Sequence, residues 1–155
     1  MTRIETLVVI HQKPRVLLAM KKQRFGAGHY NGFGGGLEEG ESLEECATRE
    51  TLEEGGIKIL NPKYVGKILF KFLDRKEQDH EVHFYKVTEY EGEPRETEEM
   101  KPVWFEQDNI PYNEMWLDDK YWMPLFLKDK KFIGEFHFTK EGIGYHKLEE
   151  VAEII

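Results

Sequence analysis

Residues 34 to 57 read Gly34-Gly-Gly-Leu-Glu-Glu-Gly-Glu-Ser-Leu-Glu-Glu-Cys-Ala-Thr-Arg-Glu-Thr-Leu-Glu-Glu-Gly-Gly-Ile57, and the rest of the chain is organised around them. Glycines open the stretch, a helical pattern fills the middle and glycines close it. Ser42 followed by Glu45 predicts a capping box, each side chain serving a backbone N–H that the helix start leaves without a partner. Gly55 and Gly56 supply a left-handed stop. Between these signals, Glu50 and Glu54 are one turn apart and Glu53 is three residues after Glu50, so the spacing predicts three carboxylates on one face. Like charges at that spacing cost roughly 0.2–0.5 kcal/mol per pair, and the chain already carries a formal charge of −8. A counter-charge is needed. Arg49 can supply part of it and a divalent cation the rest. Hard oxygen donors without thiolate or imidazole partners favour Mg²⁺, or Mn²⁺, over zinc. The glycines ahead of the helix let backbone approach a phosphate or offer a carbonyl to the metal. Metal, carboxylates and a glycine-rich turn together suggest cleavage of a phosphate anhydride.

A Glu-rich helix face taken alone is usually just solvated. The register of this one is what changes the weighing. Gly35, Glu41, Arg49, Glu50, Glu53, Glu54, Gly56 and Ile57 stand at the spacings of the Nudix box, and the chain resembles the Nudix hydrolase family. Chance agreement at the fixed identities is on the order of 10⁻⁸ per starting position. The resemblance implies an α/β fold in which a mixed sheet lies between helices, with one Nudix domain over residues 1–155. It also implies Mg²⁺-dependent hydrolysis of a nucleoside diphosphate-linked substrate. Metal ligands would come from Gly35, Glu50, Glu53 and Glu54. Thr51 departs from the aliphatic residue usual at its position; it should face the core and bear on packing more than on chemistry.

At 155 residues, with 39% hydrophobic and 34% charged residues, the chain suits one soluble domain with a sizeable core. Its acidity disfavours binding to nucleic acid polymers, which depends on many cationic contacts to phosphate. A single nucleotide arriving with metal is not excluded. Cys46 is the only cysteine, so no intrachain disulfide or thiolate cluster can form, and a small buried residue on the inner side of the helix is its expected role. No signal-peptide pattern opens the sequence and no apolar run approaches the ~18 residues of a membrane span. The expectation is a cytoplasmic monomer that needs no membrane.

Around the central stretch the chain reads as strands at 3–10 and 15–20, then a basic cluster of Lys21, Lys22 and Arg24, for which phosphate contact and plain solubilising charge weigh about evenly. A glycine-punctuated loop over 25–34 follows, and its aromatics could face a flat ligand. Strands at 64–72 and 80–90 flank a polar hairpin, the second alternating between faces. An acidic loop at 91–99 leads to a short strand at 102–105, a helix from about 113 to 128, and closing strands at 132–138 and 144–151. The six histidines show no zinc spacing and read as structural or exposed.

The segment Tyr112-Asn-Glu-Met-Trp-Leu-Asp-Asp-Lys-Tyr-Trp-Met-Pro joins two tryptophans to two adjacent aspartates. A core-facing aromatic stripe with solvated carboxylates is the plainer reading. The functional one is a base pocket in which indoles stack the ring and Asp118 and Asp119 read its edge. Adjacent carboxyls near apolar surface cannot both ionise cheaply, so one should hold its proton and donate while the other accepts. Phe25-Gly-Ala-Gly, Asn31-Gly-Phe-Gly-Gly35, Glu98-Glu-Met-Lys-Pro-Val-Trp-Phe105 and Met115-Trp-Leu-Asp-Asp-Lys-Tyr-Trp122 look like the animal-type oxidised purine nucleoside triphosphatases within the Nudix family. That resemblance implies hydrolysis of 8-oxo-dGTP and 2-hydroxy-dATP to monophosphate and pyrophosphate. Its pocket would comprise Thr6, Lys21, Phe25, Asn31, Trp116, Asp118, Asp119 and Trp122, with Glu99 joining the box carboxylates. Glu53, Glu54 or Glu99 would orient the attacking water, and Arg49 would orient the carboxylates. Gly36 stands where a lysine is common, so one phosphate contact is missing, and Tyr30 replaces a larger aromatic. Another Nudix substrate, such as ADP-ribose, a dinucleoside polyphosphate or a capped RNA end, is the alternative.

Overall fold

A computed structural model describes residues 1–155. Its strands, in chain order, are β1 (Thr2–Gln12), β2 (Arg15–Lys21), β3 (Tyr30–Asn31), β4 (Phe33–Gly36), β5 (Lys58–Leu60), β6 (Lys63–Phe72), β7 (Asp79–Val87), β8 (Glu89–Glu91), β9 (Met100–Glu106), β10 (Lys131–Thr139) and β11 (Gly142–Val151). The helices are α1 (Leu43–Gly55) and α2 (Asp119–Leu127). A nine-stranded mixed sheet runs β11-β10-β6-β7-β1-β2-β3, with β4 on β1 and β9 on β2; β1–β7 and β6–β10 are the parallel pairs. β5 and β8 form a small separate ribbon that the sequence reading did not contain.

Period-two alternation sorts the side chains of the central strands between two cores. Val8, Ile10, Leu17, Ala19 and Tyr85 pack with Ala47 of α1. Val9, Val16, Leu18 and Phe84 pack with Trp122, Met123 and Phe126 of α2. The sheet therefore lies between two helices, the α/β/α sandwich expected.

Along one edge of β1 the partner changes midway. Ile10 to Gln12 pair with β2, whereas Glu5 to Val8 pair with β4, while the end of β2 turns to β3. The sheet forks there, and the fork brings the glycines of β4 against the first half of β1. At Gly34 a Cβ would lie 1.8 Å from the Thr6 carbonyl oxygen, so no side chain fits without moving backbone. Gly34→Ala is expected to cost at least about 3 kcal/mol, measurable as a fall in urea midpoint.

Helix α1 begins as read. Glu45 N–H donates to Ser42 Oγ at 3.1 Å and Ser42 N–H donates to Glu45 Oε1 at 2.9 Å. It ends at Gly56 with φ of 75°. Thr51 is fully buried, and its hydroxyl donates to the Ala47 carbonyl at 2.7 Å, which removes the cost of a polar group in that position.

Three expectations are corrected. The stretch 25–34 is not all loop: Phe33 is fully buried beneath α1 and anchors β4. The helix expected over 113–128 is a 3-10 turn at Tyr112–Glu114, a break, and then α2 over nine residues. Met115 is extended there (φ −126°, ψ 171°), which lets its side chain enter the core while Trp116 turns elsewhere. Finally, His83 to Val87 are buried on both faces, because β7 is a central strand covered from both sides. Lys86 sits in that interior with its ammonium on the Phe126 carbonyl and 2.6 Å from Asp129.

Candidate active site

The fork in the sheet holds two joined cavities. One is aromatic and faces the α2 side, of about 810 Å³ including its open mouth. Phe25, Phe72, Trp116 and Phe138 wall it, and Asp118 and Asp119 close its floor. The other is polar, lined by Arg3, Lys21, Arg24, Glu50, Glu54 and Glu99 together with Gly34 to Gly36. Glu5, Lys21, Phe25, Gly34, Gly35, Glu54 and His80 border both.

On the polar side, Arg49 gathers the helix carboxylates. Its Nε and Nη2 donate to the two oxygens of Glu41 at 2.6 and 2.9 Å, Nη1 to Glu50 at 2.7 Å, and Nη2 also to the Gly36 carbonyl at 3.1 Å. Glu53 reaches Nη1 at 3.4 Å. The guanidinium pulls Glu41 down to about 2 and is itself held firmly charged. Every nitrogen of Arg49 is committed to protein oxygens.

Glu54 is buried, and the Gly34 N–H donates to its Oε1 at 2.8 Å. Burial first, then the nearby Glu50 and Glu99 charges, push its carboxyl up to about 8 against the pull of that N–H. Burial likewise raises Glu50, opposed by Arg49. The Glu50 carboxylate lies directly over Gly35, where a Cβ would stand 2.5 Å from its Cδ. Glu99 is placed by Thr97, whose hydroxyl donates to the Glu54 carbonyl at 3.0 Å and accepts from the Glu99 and Met100 N–H groups. Glu53 is set apart. Three residues from Glu50 rather than four, it leans outward, more than half exposed, and does not line the cavity.

No three acidic, histidine or cysteine side chains converge closely enough here to enclose a metal ion. The single-face expectation is corrected to that extent: Arg49 draws Glu50 and Glu53 toward itself while the Gly34 N–H draws Glu54. The donor set nevertheless suits a hard divalent cation. It is all oxygen, and the Glu99 charge adds to burial in raising the proton affinity of both Glu50 and Glu54, which a cation among them would relieve. Cys46 is buried with its thiol against Thr6 Oγ1 (3.3 Å) and the Gly35 carbonyl (3.6 Å), and burial keeps that thiol protonated.

On the aromatic side, Trp116 lies 5.2 Å from Phe25 and stacks on His29 at 5.1 Å, and Phe25 meets Phe72 edge-on at 5.4 Å. Asn31 lines the cavity and is oriented by the Gly32 N–H, which donates to its Oδ1 at 2.8 Å. Trp122 does not offer a face. It is 1% exposed, and its indole N–H reaches Asp118 Oδ2 at 2.8 Å and Asp119 Oδ1 at 3.1 Å from behind. The expected second stacking indole is thus a clamp on the two carboxyls. Asp119 Oδ2 is buried without any partner. Burial raises both carboxyls; Asp119 rises furthest because the adjacent Asp118 charge adds to it. Of the pair, Asp119 is the one that holds its proton to higher pH.

Thr6 borders the aromatic cavity, but its hydroxyl is turned to Cys46. Lys21 borders both with no side-chain hydrogen bond, and Arg24 borders the polar one. Lys22 turns away to Glu96 and the Thr97 carbonyl. Tyr30 packs on Phe105 outside the pocket. Sequence reasoning missed Arg3, Glu5 and His80, which converge at the waist. The signal lay in the parity of Arg3-Glu5-Leu7 and His80-Val82-Phe84, readable only once β1 and β7 are known to be neighbours.

No helix is long and apolar enough to cross a membrane. The NUDIX domain family model matches residues 1–126. The chain is 46% identical over 154 residues to the oxidized purine nucleoside triphosphate hydrolase of Danio rerio, covering 99% of this chain and 98% of that one. It is also 46% identical over 151 residues to the protein of the same name from Mus musculus, covering 97% and 96%. Among solved structures, a MutT protein from Bacillus halodurans superposes with a TM-score of 0.84 at 29% identity, over 95% of this chain and 97% of that one. Members of the family generally depend on divalent metal ions. Fold, box and full-length likeness agree: the chain belongs to the NUDIX domain family.

Proposed function

We propose that this chain hydrolyses oxidised purine nucleoside triphosphates, such as 8-oxo-dGTP and 2-hydroxy-dATP, to the monophosphate and pyrophosphate with Mg²⁺. The observation that carries this reading is the Asp118–Asp119 pair at the floor of the aromatic pocket. An orphaned Asp119 oxygen inside a protein is costly unless a ligand completes it. A protonated Asp119 beside an ionised Asp118 presents one donor and one acceptor, which matches the edge of an oxidised guanine. Moving the proton presents the reverse pattern, which an oxidised adenine would accept. Phe25 and Trp116 cover the ring, and Asn31 contributes a further polar contact.

Lys21 stands where the two cavities meet and serves the phosphates next to the sugar. Glu50, Glu54, Glu99 and the Gly35 carbonyl, with Glu53 turned in from its outward position, would hold Mg²⁺, which would supply neutralisation of the charge developing on the triphosphate. Glu53, Glu54 or Glu99 orients and deprotonates the attacking water. Arg49, with no free donor, positions the box carboxylates. Residues 1–155 work as one domain and a monomer in this reading, and one chain lines both cavities.

The direct test is pyrophosphate release from a panel of ordinary and oxidised nucleoside triphosphates with Mg²⁺, with ADP-ribose and a dinucleoside polyphosphate as rivals. Preference for an oxidised purine is expected; a flat panel, or preference for a rival, overturns the reading. The proton on Asp119 adds a pH signature. Its raised pKa means the donor is held to higher pH than in an ordinary aspartic acid and is lost as pH rises through the folded-state value, so the KM for 8-oxo-dGTP should climb as pH passes through that value. Asp119→Asn keeps a donor at every pH and should flatten that limb. The sign for stability is the same: the raised group stabilises fully below the ordinary aspartate pKa and loses that contribution as pH rises.

A further inference from the structure

At Gly36, where the resemblance leads one to look for a lysine, the space a Cβ would take is already filled. Arg3 Nη2 lies 2.9 Å and Arg3 Cζ 3.1 Å from that position. The guanidinium reaches it from the neighbouring strand, where Glu5 pairs with Gly36 in the β1–β4 register. Its Nε donates to Glu5 Oε2 at 3.0 Å. The other Glu5 oxygen lies 2.7 Å from Nδ1 of the buried His80. A carboxylate gripped from its far side thus fixes the guanidinium. Only Nε of Arg3 is used; Nη1 and Nη2 make no hydrogen bond within the protein and border the polar cavity. Arg49, by contrast, has none to spare. Two parallel N–H groups held in a fixed plane are the fork that phosphate oxygens accept best.

We propose that Arg3 binds the terminal phosphates of the triphosphate in place of a side chain at position 36, and that Glu5 and His80 position it. This rests on the triphosphatase reading above. The direction along β1 supports the assignment. Glu5, Thr6 and Leu7 border the aromatic pocket, whereas Arg3 borders only the polar cavity. Leu7 lies four steps along the strand from Arg3, about 13 Å at the usual rise, on the scale of a nucleotide extended from base to outermost phosphate. Lys21 then serves the inner phosphates and Arg3 the outer ones. The glycine at 36 is what makes the room.

Calorimetric titration of the full chain with Mg²⁺ separates these contributions, using a purine nucleoside triphosphate analogue with a non-hydrolysable α–β bridge and the matching nucleoside monophosphate. Arg3→Ala is expected to weaken the analogue at least tenfold, roughly the worth of a charge-assisted hydrogen bond. Monophosphate binding should stay within about twofold. Arg3→Lys should recover part of the loss. Gly36→Ala, whose methyl displaces the guanidinium, should weaken the analogue in the same sense without touching Arg3 itself. Equal analogue binding by Arg3→Ala and the unaltered chain overturns this inference alone, as does equal loss of both ligands. Failure of the unaltered chain to bind the analogue overturns the triphosphatase reading and this inference with it.

Discussion

Glu54→Gln is expected to lower turnover by roughly 10²–10⁴-fold, the range spanned by loss of a positioned acid–base group, while leaving the domain folded. Gln keeps an oxygen to accept the Gly34 N–H, so the local structure has no reason to fail. Stability should move the other way from activity. The Glu54 carboxyl is raised from 4.5 to about 8, so its contribution to stability is full below the ordinary value and is lost as pH rises through the raised one. Gln cannot ionise, and in chelator the variant should melt higher than the unaltered chain at alkaline pH. Glu53→Gln is expected to cost turnover on a similar scale, yet Glu53 is an outward residue whose replacement perturbs no core. Wild-type turnover in both variants would defeat the proposed mechanism, as would full activity in excess EDTA.

Asp118→Ala is expected to reduce kcat/KM for an oxidised purine triphosphate by on the order of 10²-fold, because a buried charge-assisted hydrogen bond is lost and Asp119 is left without its partner. Binding of inorganic tripolyphosphate with Mg²⁺ should change little, since the phosphate cavity is lined by other residues. Selectivity should collapse along with rate. If instead oxidised and ordinary substrates fall by the same factor, the pair serves the fold and not the base.

What could be read in advance follows the length scale of each interaction. The capping box, the glycine stop and the Arg49–Glu50 pairing span at most one or two helical turns, and spacing alone specifies them. The two-face alternation of Val8-Val9-Ile10 and Val16-Leu17-Leu18 is equally local, and it sufficed for the layered architecture. The sequence reading has one helix over 113–128 and both indoles, Trp116 and Trp122, against the ligand. The extended Met115 interrupts that helix, and one indole reaches the pocket while the other is buried in the core. β4 went unseen because its only anchor is Phe33 among glycines, which carry no strand preference. The waist of Arg3, Glu5 and His80 was out of reach altogether. It depends on a parallel pairing of strands that start more than seventy residues apart, with Arg3 opposite His80.

The fork between β1 and β2 has an evolutionary corollary. Every residue proposed to grip or cleave the phosphates, apart from Glu99, lies at or before Glu54. The aromatic walls and the carboxyl floor come mostly from β6, β7, β10 and the entry to α2. A lineage could exchange the second set for one suited to a different leaving group while inheriting the first unchanged. Such a division lets one hydrolytic apparatus diversify by swapping its reading head.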